Sequence, residues 1–362
     1  MATCYITELK VDSRFSERQI NRYKRAGYRL IGRNSAIEIC RWTKTSLKGK
    51  GNCYKRWYGI SSHRCIQMTP NLNFCNYACD FCWRIHEEGR YKVSNILWDE
   101  PKEIIERMRE EQRKLLSGFK GNPDTKQEAL LEALFPRHVA ISLDGEPTMY
   151  PKLVDFIREI KAKGMTAFLV TNGSLPYRLK ELLDGNAEPT NLYVSVYGPN
   201  REIFLKTAKP KIPNAWENLM ESLKLLNRFN CRTIFRMTLV KGLNMLLPEG
   251  YAELIKMSNP KFVELKGYTW VGESIMRLEP KAMPSMEEIE YFADKIAEYT
   301  SYIIKARDEK SRVVVMVKDE DTWRWNLEQI KEQKEKEKEF DRLWKGKVKE
   351  FKTKLNIFKS LG

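Results

Sequence analysis

Three cysteines on one short loop carry the plainest chemical signal in the chain. They are Cys75, Cys79 and Cys82, in the run CNYACDFCW, spaced C-x3-C-x2-C. Thiolates are the usual ligands of iron–sulfur clusters, and three of them hold three irons of a [4Fe–4S] cube, leaving the fourth open to an incoming amine and carboxylate. Zinc is the competing reading, but it usually takes four ligands, often from two C-x2-C knuckles, and this loop offers three at uneven spacing. Phe81 and Trp83 flank the last cysteine, an apolar cover for a cluster and an aromatic base.

Further polar motifs follow apolar runs in order. SLDGEPTMYP places Gly145, Glu146 and Pro147 after a strand, where a tight turn uses the freedom of glycine and the fixed φ of proline. VTNGS supplies Asn172 and Ser174, either able to reach a ribose or a carboxylate; SVYGPN supplies Ser195, and RMTLVKGLN supplies Arg236. Taken singly these are turn chemistry. As a series behind C-x3-C-x2-C they resemble the radical S-adenosylmethionine (SAM) superfamily. That resemblance implies SAM chelated on the open iron, cofactor contacts from Gly145, Glu146, Pro147, Asn172, Ser174 and Ser195, and reductive cleavage to methionine and a 5′-deoxyadenosyl radical.

A second set, Cys40, Cys53 and Cys65, has no knuckle spacing. Each alone reads as a buried structural cysteine. Six of the eight cysteines nevertheless fall between residues 40 and 82, and clustered cysteines in a reducing compartment bind metal more often than they form disulfides. CYKRWYGI, then HRC, then the cluster loop, together with SLDGEPTMYP, VTNGS, TLVKGLN and VELKGYTWVG, resemble the archaeal 4-demethylwyosine synthases of tRNA wybutosine synthesis over roughly residues 35–315. The resemblance implies a second [4Fe–4S] cluster on Cys40, Cys53 and Cys65. It implies as substrates tRNA-Phe bearing N1-methylguanosine beside its anticodon, and pyruvate as carbon donor. It also implies that Lys55 holds pyruvate as a Schiff base. By residue type alone Lys55 reads as one more solvated lysine: neighbouring Arg56 and burial would lower its pKa, an anionic cluster would raise it. The open iron of the second cluster is the alternative pyruvate ligand, and the sequence leaves that choice open. Arg236, Glu264 and Lys266 are assigned to the substrate pocket. His63, His86 and His138 have no ligand spacing and read as structural or surface residues.

These residues need a scaffold that gathers strand ends. Apolar runs at His138–Leu143, Thr166–Thr171, Leu192–Val196, Thr233–Val240 and Phe262–Tyr268 predict strands. Helical periodicity lies between and after them, at Pro101–Leu116, Lys152–Lys163, Ala215–Asn227, Tyr251–Ser258 and Met286–Ile304. Strand–helix alternation implies parallel pairing with right-handed crossovers, with the working residues at the C-terminal strand ends. The expected fold class is α/β, a partial (β/α)6 radical SAM barrel over 66–310. An N-terminal cluster-binding extension fills 1–65, and a C-terminal strand with a basic amphipathic helical tail fills 311–362. On that tail Phe340, Trp344, Val348, Phe351 and Leu355 form a stripe edged by Lys345, Lys349, Lys352 and Lys354, which packs on the barrel or clamps tRNA.

Composition agrees. The 362 residues carry 64 Lys and Arg against 48 Asp and Glu, a net charge of +16 that suits a polyanionic partner. No apolar run is long enough to span a membrane and no signal peptide opens the chain, so a cytoplasmic monomer is expected. No flavodoxin-like segment precedes the cysteines, so the expected reductant is a separate ferredoxin- or flavodoxin-type donor. Two competing classes are a radical SAM peptide maturase, which usually places auxiliary cysteines after the barrel, and a non-enzymatic electron carrier, which needs no barrel.

Overall fold

A computed structural model describes residues 14–91 and 95–343; Cys4 and the stripe beyond Phe340 lie outside them. Ten strands form one sheet: β1 (Arg29–Leu30), β2 (Ala36–Glu38), β3 (Cys65–Thr69), β4 (His138–Ile141), β5 (Thr166–Thr171), β6 (Asn191–Val196), β7 (Arg232–Leu239), β8 (Phe262–Gly267), β9 (Ile303–Asp308) and β10 (Val313–Val317). Their order is β1-β2-β3-β4-β5-β6-β7-β8-β10-β9. Neighbours from β3 to β8 run parallel. β2 and β1 extend one edge antiparallel, β10 and β9 the other. Among the described residues no ladder joins β1 to β9, so the wall is a partial barrel of six parallel strands with antiparallel edges.

The alternation of side chains along each strand sorts two environments. Ile66 and Met68, Val139 and Ile141, Leu192, Val194 and Val196, and Phe235 and Met237 face outward into one core with Ile104, Met108, Phe156 and Ile160 of the covering helices. A buried parallel strand is normally apolar on both faces. Here the inner face alternates apolar and polar groups: Cys65 and Gln67, Tyr193 and Ser195, Ile234 and Arg236, Phe262 and Glu264. The polar set marks where the barrel does its work.

The lumen is closed from below by the chain itself. A 3-10 turn, Tyr54–Tyr58, enters the barrel so that Tyr54, Tyr58 and Ile60 pack against Phe168, Tyr193, Phe262 and Val315. Tyr58 meets the Phe262 ring edge-on at 5.2 Å. Beneath it runs the helix Glu320–Leu343. Asn326 accepts from Arg232 Nε at 2.6 Å and donates to the Trp57 carbonyl at 3.0 Å; Gln333 donates to the Gly59 carbonyl at 3.0 Å. Asp341 accepts from Arg64 at 2.7 and 2.8 Å, and the Arg137 guanidinium stacks on Phe340 at 3.3 Å. Arg64, Arg137 and Arg232 stand at the N-terminal ends of β3, β4 and β7, so this helix plugs the end opposite the motifs. Within the described residues the charged tail is packed structure.

One expectation needs correcting: the helix predicted over Met286–Ile304 stops at Tyr299, and the β-branched pair Ile303–Ile304 opens β9 instead. No helix of the described residues is long and apolar enough to cross a membrane.

His138 sits at the plugged end, fully buried. Its Nε2 accepts the Ser61 N–H at 3.0 Å, which fixes Nδ1 as the protonated nitrogen facing Thr166 Oγ1 at 2.8 Å. Glu337 lies 3.7 Å from Nε2, but that lone pair is taken and burial raises the carboxyl's own pKa, so no ion pair forms. Burial, with Arg64 nearby, pushes the imidazole down to about 3. The unfolded chain therefore binds a proton near pH 6.5 that the folded chain refuses until about 3. Stability is complete above pH 6.5 and drains as pH falls toward 3. Between pH 7.5 and 5.5 the cost from His138 is about 1.4 kcal/mol. Urea midpoints of the parent and His138→Asn at both pH values check this; an equal acid loss in the two proteins rejects it.

Candidate active site

The cluster loop is clamped from three sides. Cys75 N–H donates to the Arg90 carbonyl at 3.2 Å, Ala78 N–H to the Ala208 carbonyl at 3.1 Å, and Lys211 N–H to the Asn76 carbonyl at 2.9 Å. From β4, Glu146 N–H donates to the Phe74 carbonyl at 2.6 Å, and Asn71 Nδ2 to the Glu146 carbonyl at 2.6 Å. Gly145 has φ +72°, and a Cβ there would fall 2.5 Å from the Asn71 carbonyl oxygen and 2.6 Å from that of Phe74. Only glycine lets this turn and the cysteine loop touch.

Glu146 is saturated. Its Oε1 accepts from Thr148 N–H at 3.0 Å and from the Thr148 and Thr171 hydroxyls at 2.6 Å each; its Oε2 accepts from Asn172 N–H at 2.7 Å. It ties the end of β4 to the end of β5. Asn172 Nδ2 donates to Asn76 Oδ1 at 2.9 Å, and Asn76 Nδ2 to Ser174 Oγ at 2.7 Å, so the VTNGS turn holds the residue that follows Cys75.

Two cavities open above this framework. The first, about 160 Å³, is lined by Cys75, Cys79, Cys82, Phe81, Gly145, Glu146, Asn172 and Ser195. Pro147 and Ser174 stand behind its wall: Pro147 starts the 3-10 turn Pro147–Met149, and Ser174 braces Asn76. The second, about 510 Å³, is lined by Cys40, Cys53, Cys65, Lys55, Arg236 and Lys266. Arg84, Ser142, Val170, Ser195 and Tyr197 line both, so the chambers adjoin. Sequence reasoning missed Arg84, Arg90, Asp144 and Tyr197. The signal for the arginines was present: WRIHEEGR puts two guanidinium groups directly after a loop expected to carry an anionic cluster.

The thiols test what each set can hold. Burial pushes Cys75 up to about 11, with Glu146 and Cys82 adding to the rise and Arg90 opposing it. Cys79 goes well above its ordinary value through burial and then through Cys82 and Cys75. In the second set burial takes Cys53 to about 11, and raises Cys65 further with Cys40 contributing. In each set the sulfurs feel one another and repel as thiolates. Such groups are stable as thiolates only when cations neutralise them, which the irons of a cluster do. Among the described residues no three donors converge as they would on a single ion; a cube takes one thiolate per iron and does not ask for that. The donor chemistry suits an iron–sulfur cluster at Cys75, Cys79 and Cys82, and Cys40, Cys53 and Cys65 bring the same donor type to the larger chamber.

Local geometry explains the second set. Cys40 caps the helix Arg41–Leu47, its sulfur accepting Trp42 N–H at 3.3 Å. Cys53 leads into the inserted turn and donates its N–H to Ser62 Oγ at 2.8 Å; Cys65 opens β3. Lys55 rides on the inserted turn, 8% exposed, with Nζ 4.7 Å from the Tyr193 ring centroid. Burial, then Arg236, lowers its pKa, while Cys53 and Glu264 pull the other way. Arg236 and Glu264 are partners across β7 and β8. Lys266 donates to the Ser311 carbonyl at 2.9 Å. Glu264 does not line the chamber; it accepts from Tyr54 OH at 3.3 Å. With Lys55, Arg236 and Lys266 on its wall, the larger chamber suits a small anion.

Comparison with known proteins agrees with this architecture. Residues 72–255 match the radical SAM superfamily and residues 257–318 match the family described as wyosine base formation. The chain is 43% identical over 306 residues to the S-adenosyl-L-methionine-dependent tRNA 4-demethylwyosine synthase of Pyrococcus abyssi, spanning 84% of this chain and 90% of that protein. The synthase of Oryza sativa is 39% identical over 277 residues, covering 76% of this chain but 42% of that longer protein. A solved structure of TYW1 with a lysine-pyruvate adduct bound superposes with a TM-score of 0.76 at 31% identity, over 84% of this chain and 96% of that one. This chain therefore belongs to the radical SAM family of tRNA 4-demethylwyosine synthases.

Proposed function

We propose that this enzyme condenses N1-methylguanosine, beside the anticodon of tRNA-Phe, with pyruvate to give 4-demethylwyosine. The observation that carries the reading is the pair of adjoining chambers, one thiol-lined and bounded by the glycine turn, the other thiol-lined and holding a buried lysine. When bound, a [4Fe–4S] cluster on Cys75, Cys79 and Cys82 and SAM supply hydrogen-atom abstraction from the methyl group. In this reading Gly145, Glu146, Asn172 and Ser195 shape the SAM chamber, with Pro147 and Ser174 bracing it. Phe81, on the wall of that chamber, and Tyr197, on the wall it shares with the larger one, have rings 4.9 Å apart and keep water out. Lys55 attacks the pyruvate carbonyl as a free amine, losing water to form a Schiff base. Arg236 and Lys266 hold the pyruvate carboxylate, and Glu264 orients Tyr54 beneath them. The new carbon–carbon bond forms at the imine carbon, the carboxyl carbon leaves as carbon dioxide while the one electron spent on cleaving SAM is returned, and the guanine amine displaces the Lys55 amine from the imine to close the third ring.

In the same reading Cys40, Cys53 and Cys65 carry a second [4Fe–4S] cluster. Residues 1–65 serve as its extension, 66–310 as the radical-bearing barrel, and 311–362 as the closing strand and tail. The protein works as a monomer with a separate ferredoxin- or flavodoxin-type donor. The lysine-pyruvate adduct described for the solved TYW1 structure supports the Schiff base over direct ligation by a cluster. The test is anaerobic incubation with SAM, a reductant, pyruvate and tRNA-Phe bearing N1-methylguanosine. A tricyclic nucleoside in the digest is expected; its absence with both clusters intact rejects the function.

A further inference from the structure

The chamber mouth carries a surface that the chemistry inside does not use. After β8 the chain forms a short 3-10 turn, Gly272–Met276, and turns its large apolar side chains to solvent: Met276 is 82% exposed, with Trp270, Val271 and Ile275 also exposed. An exposed cluster of this kind normally marks a binding surface. It is not a loose loop. Glu273 N–H donates to the Trp83 carbonyl at 3.1 Å, His86 N–H donates to Glu273 at 3.2 Å, and Arg277 Nε donates to the Asp80 carbonyl at 3.1 Å. Arg277 also bonds the Cys82 carbonyl. Gly272, at φ +57°, packs so closely on Trp83 that a Cβ would stand 2.3 Å from the Trp83 carbonyl oxygen. The turn is fastened to the segment that bears the radical-generating cysteines.

Trp83 joins the turn to the cavity. It lines the 510 Å³ chamber and is 40% exposed. Arg84 lies 3.3 Å from its ring centroid, and a second such pair, Arg41 over Trp42 at 5.6 Å, lines the same chamber. Indole faces and guanidinium planes are what unstacked bases of single-stranded RNA stack on, and the arginines meet the phosphates.

We propose that Trp270, Val271, Ile275 and Met276, with Trp83, form a rigid apolar lip that docks the single-stranded tRNA loop and holds the nucleotides beside the target base splayed, so that base enters the chamber. This rests on the reading that the substrate is a tRNA base. The charge of the molecule, +16, and the arginines at the mouth favour this occupant over an acidic or neutral apolar partner.

The test is the paired variant Ile275→Ser with Met276→Ser, whose side chains point to solvent. Direct binding of tRNA-Phe bearing N1-methylguanosine and the KM for that tRNA are measured on the holoenzyme. Both are expected to weaken by about tenfold, the worth of about one lost base contact. Ile275→Leu with Met276→Leu is expected to restore both, and iron content equal to the parent's shows that the fold and clusters survive. Unchanged binding and KM in the serine pair overturn the lip. A parent that binds the tRNA but yields no tricyclic nucleoside instead overturns the proposed reaction, so the two failures are distinct.

Discussion

Replacing Lys55 by alanine is expected to lower tricyclic product formation by about a thousandfold or more, with SAM and tRNA still bound. The expectation follows from where the amine sits. Lys55 is buried on the inserted turn Tyr54–Tyr58, its Nζ over the Tyr193 ring rather than in an ion pair, inside a chamber also lined by Arg236, Lys266, Arg41 and Arg84. An imine needs a neutral amine, and burial favours that form. Lys55→Arg is expected to be equally inactive, because a guanidinium stays protonated and forms no imine under these conditions. Lys266 is the rival nucleophile: burial pushes it down to about 8, and it lines the same chamber. Its Nζ, however, is committed to the Ser311 carbonyl. Borohydride reduction with labelled pyruvate decides between the two lysines. Label on Lys55 in the parent and none in Lys55→Arg is expected; label on Lys266, or product from Lys55→Arg, would overturn the assignment.

The parts of this site legible in the sequence were those where one residue type can do one job. Three closely spaced cysteines name a cluster loop, and an apolar run followed by GEP, TNG or GPN names a strand end. The longer strands were visible for the same reason, since Thr166–Thr171 and its neighbours are uninterrupted apolar runs. β3 was missed although Cys65–Thr69 alternates cleanly, with Ile66 and Met68 outward and Cys65 and Gln67 inward. The helix Pro176–Asp184 was missed despite a proline at its first turn. What no local pattern could show was the insertion of residues 54–60 into the barrel. Tyr54, Tyr58 and Ile60 read as surface or core equally well until Phe168, Tyr193 and Phe262 are seen to surround them. That insertion alone turns Lys55 from one lysine among many into a buried amine. Gly145 and Glu146 were expected against the cofactor, and they line the cavity that Cys75, Cys79 and Cys82 share. Their distances show a second task that spacing could not reveal, which is holding the cysteine loop against β4 and β5.

Changing Cys40, Cys53 and Cys65 together to alanine is expected to lower bound iron from about eight to about four per chain, with the triple alanine change at Cys75, Cys79 and Cys82 giving the complementary loss. The two sets lie in separate chambers, so each should empty alone. The Cys40 set joins three segments far apart in the chain: a helix cap at Cys40, the entry to the inserted turn at Cys53, and the start of β3 at Cys65. Apart from the helix cap of the Cys40 sulfur on Trp42 N–H, hydrogen bonds that do not use sulfur hold these segments, as with Cys53 N–H on Ser62 and Thr43 Oγ1 on the Ser62 carbonyl at 3.0 Å. The apolar contacts of Tyr58 and Ile60 remain as well, so the variant is expected to fold and to keep the SAM chamber. Product should nonetheless fall by orders of magnitude, because Lys55 sits two residues from Cys53 and works in the chamber from which the second cluster would be missing. Reductive SAM cleavage should persist, since its cysteines, its glycine turn and Glu146 are untouched. Iron still at about eight per chain would take the second cluster off Cys40, Cys53 and Cys65 and leave them as thiols lining a substrate chamber, and a parent with only about four would remove the second cluster from this protein; iron falling to about four with full product formation would leave the cluster in place but without a part in the reaction.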